Sequence, residues 1–193
     1  MRVYCGGYAM PSPFEAVSAY FHAKDGNRPF LMRHAFAEDI ALEMVVKTDA
    51  ISFPSSAKGL PEIEQILCRR FANDFENVYT FCLARPTDAN RRHFPCHWLV
   101  GMSAKNNGDI RIGCGRYDWY FSDIQGLVQR LVISIDRMEI ISADHLGAVM
   151  DWITSLPYPW CQPEDIVQSM PSVVELAPIA HYLQEIRSIP PDF

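Results

Sequence analysis

The chain has 193 residues, 49% of them hydrophobic, which is enough to bury one substantial core. A formal charge of -6 and a pI near 5.5 exclude a nucleic-acid backbone or an anionic membrane surface as the main partner, because both require a basic face and Arg91 with Arg92 makes no patch. No apolar run approaches the roughly 18 residues of a membrane span, and MRVYCGGYAMPSPF is too short in apolar length for a signal peptide.

In chain order, Pro11, Ser12 and Pro13 precede FEAVSAYFHAK, whose Phe14, Val17, Tyr20 and Phe21 fall at helical spacing. RPFLMRHAF predicts a short second helix with Pro29 in its first turn. The period then changes from helical to alternating. DIALEMVVKT puts Ile40, Leu42, Met44 and Val46 on one strand face and Ala41, Glu43, Val45 and Lys47 on the other. After FPSSAKG, the run LPEIEQILCRRF predicts a third helix through Ile63, Ile66, Leu67 and Phe71. Four strands follow: VYTFCLA, CHWLVGMSA, IRIGCGRYDWYF and LVQRLVISIDRMEII, with NNGD at 106–109 a hairpin turn between the second and third. HLGAVMDWITSL predicts another helix. VVELAPIAHYLQEI predicts a last one, broken or kinked at Pro178. This organisation predicts one domain over 1–157 with a short N-terminal extension, then a C-terminal helical tail over 158–193 that packs on the body or on a partner subunit.

Six cysteines, Cys5, Cys68, Cys82, Cys96, Cys114 and Cys161, are scattered through mostly apolar segments without a CxxC pair. They read as reduced thiols of a cytoplasmic protein. His93, Cys96 and His97 are close in sequence, but Pro95 and the strand period separate them and no fourth ligand is near, so neither a metal nor any other cofactor is expected.

Helices first, one strand, another helix and then a run of strands is an α+β order, in which a curved, cone-like antiparallel sheet wraps around N-terminal helices and leaves a pocket. With AFAEDIALEM, KGLPEIEQIL, GRYDWYF and LVISIDRMEI in that order, residues 12–156 resemble the nuclear transport factor 2-like, or SnoaL-like, superfamily of cystatin-like fold. That superfamily includes ketosteroid isomerases, scytalone dehydratase, polyketide cyclases and many non-catalytic members. The resemblance implies a homodimer whose sheets pack across a symmetric interface.

It also implies a site. Steroid isomerases of this fold pair a tyrosine on the first helix with a protonated aspartate on a late strand to stabilise an enolate, which is a worked case of a carboxylic acid held neutral by an apolar surrounding. Laid against that pattern, Tyr20 takes the tyrosine position and Asp136, sharing a strand face with Val132, Met138 and Ile140, takes the aspartate position. Met44 stands where those enzymes keep their proton-abstracting aspartate. Another base is then needed, and Asp118, His97, His22 and Glu43 are the candidates, Glu43 only if a bulge turns it inward. Met44, Ile66, Trp98 and Met138 are expected to line the pocket.

These readings converge on a small, largely apolar or polyketide-like molecule held in the cone, with lyase or isomerase chemistry by oxyanion stabilisation as the catalytic version. The alternatives are a non-catalytic ligand-binding or dimer-scaffold protein, favoured by Met44 at the base position, and the non-catalytic small subunit of a ring-hydroxylating dioxygenase. Each residue also has a plain reading. Asp136 can pair with a cation, Tyr20 can be core, His97 can be a satisfied sheet histidine, and Asp118 can pair with Arg116.

Overall fold

The structure, a computed structural model, describes residues 10–88, 91–123 and 126–187; Cys5 and the last six residues of the expected tail lie outside them. Ser12 sets the start of helix α1 (Pro13–Asp25). Its hydroxyl accepts from the Glu15 amide at 3.3 Å, and the Glu15 carboxylate accepts from the Ser12 amide at 2.8 Å, a reciprocal cap that satisfies two otherwise orphaned donors. The second predicted helix is a tighter 3-10 segment, Pro29–His34, which turns the chain into strand β1 (Phe36–Val46).

After strand β2 (Ser56–Lys58), the third predicted helix runs as α2 (Leu60–Glu64), a π-type stretch Gln65–Arg70 and α3 (Phe71–Asp74). The wider π turn lets Ile66, Leu67 and Cys68, three consecutive residues, all be buried. The long strands β3 (Phe75–Cys82), β4 (His93–Ala104), β5 (Ile110–Phe121) and β6 (Val128–Ile141) complete the set. At the β4–β5 turn Gly108 has φ +78°, a conformation glycine takes without a Cβ penalty.

The sheet is curved and unclosed, in the order β2-β1-β6-β5-β4-β3, with the N-terminal helices on its concave face, as the element order predicts. Every neighbouring pair is antiparallel except β1 with β6. That pair can be parallel because its connection is the whole of the intervening chain.

Two apolar cores lie on the two faces of the sheet. The inner one joins Val17, Tyr20 and Phe21 of α1 to Leu42, Trp98, Trp119 and Ile133 of the strands. The outer one is covered by α4 (Leu146–Ser155), α5 (Pro163–Ser169) and α6 (Ala177–Arg187). Their Val149, Ile153, Ile166, Ile179 and Leu183 pack on Phe81, Leu99, Ile110 and Ile112. Pro178 sits in the first turn of α6, after the 3-10 turn Val174–Leu176, where its missing N–H costs nothing. The C-terminal helices therefore occupy the outer sheet face, which the resemblance assigned to dimer contact.

Candidate functional site

Strand parity decides which side chains reach the inside of the cone. On β1 it is Met44, on β4 Trp98, Val100 and Met102, on β5 Tyr117, and on β6 Ile133, Ile135 and Met138. With Ile51, Phe53, Leu67 and Phe71 they enclose a cavity of about 50 Å³ whose polar lining comes from Tyr20, Lys24, Thr80 and Tyr117. So small a space holds a few water molecules; pockets for drug-sized ligands run to about 300–1,000 Å³. A groove of about 400 Å³ adjoins it, and Ile51, Phe53 and Phe71 line both. These three side chains form the wall between cavity and groove. Ile66, expected in the pocket, is buried and lines the groove instead.

α1 supplies the polar floor. Val17, Tyr20, Phe21 and Lys24 form one helical stripe, so Lys24 is carried onto the buried face with only 7% of its surface exposed. Its ammonium lies 2.8 Å from Asp25 Oδ1 and 4.7 Å from the centre of the Phe71 ring. Asp25 is fully occupied: Oδ1 also accepts from the Thr80 hydroxyl at 2.9 Å, and Oδ2 accepts from the Thr80 amide at 2.7 Å and the Tyr158 hydroxyl at 3.0 Å.

The Tyr20 and Tyr117 hydroxyls are hydrogen-bonded to each other, and burial pushes the titration of both well above the ordinary tyrosine range. Tyr20 packs edge-on against Phe21, Phe36, Tyr117 and Trp119, so its ring is fixed on four sides. The buried Trp98 indole N–H has no hydrogen-bond partner among the described residues.

Tyr20 and Asp136 do not share this cavity, which corrects the expected pairing. A register shift between β5 and β6 places Cys114 opposite Arg137 and Gly115 opposite Ile135, leaving Asp136 as the extra residue of a β-bulge. The bulge resets the alternation. Ile133, Ile135 and then Met138 face inward, while Asp136 turns outward to the Lys47 ammonium at 2.6 Å and lies 3.5 Å from the Tyr182 hydroxyl on α6.

Asp118 and His97 face outward as well. Asp118 accepts from Arg116 at 3.2 Å and contacts His93 Nε2 at 3.0 Å. The Tyr182 hydroxyl lies 2.9 Å from the Gly115 carbonyl and 2.7 Å from His97 Nδ1, so it joins α6 to β4 and β5 through one hydrogen-bonded cluster. Burial first, and then Arg116, lowers the His97 pKa from its ordinary value. Glu43 also faces outward, paired with Arg130 at 2.8 Å, and its pKa is lowered by that hydrogen bond. His22 is exposed on α1. Three of the four expected catalytic residues thus lie on the outer face, Asp136 and His97 beside Tyr182 of α6 and Asp118 beside Arg116 and His93, separated by the sheet from the fourth.

His93 and His97 face outward while Cys96 is turned inward, its Sγ against that of Cys82, so these three do not converge. The five described cysteines are buried free thiols.

Solved structures with this architecture superpose on about two thirds of the chain. An NTF2-like protein from Burkholderia thailandensis matches with TM-score 0.52 and 14% identity, covering 66% of this chain and 92% of its own. The fold is nuclear transport factor 2-like. A computationally designed 17-OHP binder matches with TM-score 0.51 and 14% identity, over 67% of this chain and 99% of its own. A Mycobacterium tuberculosis protein in complex with estradiol-17beta-hemisuccinate matches with TM-score 0.51 and 13% identity, over 64% and 93%. No protein-family model matches the sequence, and no curated protein matches it.

Lys24, Asp25 and Thr80 are the site residues that sequence reasoning missed. The signal was there for the first two. Lys24 continues the Val17, Tyr20, Phe21 stripe, and Asp25 is an acid at a helix C-terminus, where the helix dipole disfavours it unless a partner is present.

Proposed function

We propose that the chain binds a small, largely apolar molecule inside the cone and does so without turning it over. The observation that carries this reading is the inner cavity itself, with apolar walls, a few convergent hydrogen-bonding groups and an adjoining groove. Two structural neighbours are, by their own descriptions, a computationally designed 17-OHP binder and a complex with estradiol-17beta-hemisuccinate, which supports a ligand-binding reading of this fold. Against catalysis stands the composition of the lining. Among the described residues that line the cavity there is no carboxylate or imidazole, and Asp25, the nearest carboxylate to Lys24, has its acceptor positions filled. Proton transfer needs a group within hydrogen-bond reach of the reacting atom: Asp136, Asp118 and His97 lie across the sheet, and of the groups that do line the cavity Lys24 is paired with Asp25 while burial holds Tyr20 and Tyr117 protonated.

The test is ligand-observed NMR against a panel of apolar small molecules, with two variants. Met44→Trp fills the cavity and is expected to abolish binding, while Asp136→Asn, on the outer face, is expected to leave it unchanged. Binding that survives Met44→Trp, or a turnover that disappears in Asp136→Asn, would refute the reading.

A further inference from the structure

The polar groups around the cavity are unbalanced between donors and acceptors. An ammonium has three donors and no acceptor, and an indole has one donor and no acceptor. Lys24 spends one N–H on Asp25 and turns its charge toward the Phe71 ring, and the buried Trp98 N–H is unpaired. The two tyrosine hydroxyls pair with each other, which uses one of their two protons and leaves the other. The carboxylate that would supply acceptors is Asp25, and four donors already occupy its oxygens. The cavity therefore offers charged and indole N–H donors, while the acceptors left among its described lining residues are neutral hydroxyl oxygens. A buried donor left unmatched is destabilising, so the complementary ligand brings an oxygen acceptor.

Charge decides between the two common acceptors. Lys24 and Asp25 already neutralise each other, and a carboxylate ligand would leave one buried negative charge without a counter-charge. A neutral carbonyl adds none. Size decides the rest: the cavity takes the carbonyl end, and the body of the ligand must extend past Ile51, Phe53 and Phe71 into the groove. The segment carrying Ile51 and Phe53 is tied back by Met44 N–H to the Ser55 carbonyl at 2.9 Å and by the Ala50 N–H to Thr48 Oγ1 at 3.2 Å. Few backbone bonds oppose its displacement.

We infer that Lys24 anchors the neutral carbonyl oxygen of an elongated apolar ligand, with the carbonyl in the inner cavity and the apolar body in the groove between Phe53 and Phe71. This rests on the ligand-binding reading above and adds the ligand's chemistry. Three probes of similar size separate the two: 4-phenylbutan-2-one, whose carbonyl is near the end of the chain, butylbenzene and 4-phenylbutanoate, compared by NMR titration. The ketone is expected to bind at least about tenfold more tightly than either other probe, since a hydrogen bond to a charged group is worth about 1.5–3 kcal/mol and 1.4 kcal/mol is tenfold.

Carbonyl-13C-labelled ketone is expected to shift downfield on binding, and Lys24→Met to remove both the shift and the preference. The double variant Lys24→Met with Asp25→Asn leaves no unpaired charge, and it decides the matter if the single variant fails to fold. Equal binding of ketone and hydrocarbon, preference for the carboxylate, or a carbonyl shift that persists in the double variant overturns the anchor while leaving the binding reading intact. Failure of all three probes overturns both.

Discussion

Asp136 shows how one backbone irregularity reassigns a side chain. In regular alternation it would share the inner face with Met138; the bulge places it outside beside Lys47 and Tyr182. The sequence carries a trace of this, because the inward apolar residues Ile133, Ile135 and Met138 are spaced two and then three apart. His97 gives the prediction at this scale. Its pKa is lowered in the folded chain, so below the unfolded value near 6.5 the unfolded state takes up a proton that the native state does not. Stability is expected to be flat in this respect above about pH 6.5 and to fall as pH drops through that value toward the folded pKa. Urea unfolding of His97→Gln against the parent between pH 5 and 7.5 checks this, and a variant that keeps the same slope would show that other groups cause it.

At the scale of elements, α1 and the β5–β6 pair do most to form the site. α1 carries Tyr20 and Lys24 on one stripe, legible from spacing of three and four residues. The bulge in β6 depends on its partner. A Cβ on Gly115 would collide with the Ser134 carbonyl and lie 2.9 Å from the Trp98 indole, so this position accepts no side chain without moving β6 or a cavity wall. Gly115→Val is accordingly expected to cost about 1–3 kcal/mol, seen as a lower urea midpoint, and to perturb Trp98 fluorescence. An unchanged midpoint would show that the strand pair relaxes freely there. The helix over 60–74 was legible as a helix but its π turn was not, because both forms share the same apolar stripe over a single turn.

For the whole molecule, one sheet separates two cores, and the C-terminal helices make the second. If the faces are independent in function, loosening the outer one leaves the inner cavity able to bind. Leu183→Asp puts a charge into the outer core and is expected to release α6 and promote self-association by light scattering, with ketone binding retained. Simultaneous loss of binding and of near-ultraviolet dichroism would show instead that the two cores fold as a unit. By itself the sequence determined the order and kind of the long elements, the α+β class and the inward face of β1. These follow from local periodicity, which every residue reports through its neighbours. Only the tertiary structure decided that Asp136, Asp118 and His97 face away from Tyr20, that Lys24 and Asp25 pair on the cavity floor with Thr80, and that the tail covers the outer sheet. Bulges, strand register and the docking of distant segments depend on contacts between residues far apart in the chain, and no local pattern encodes them.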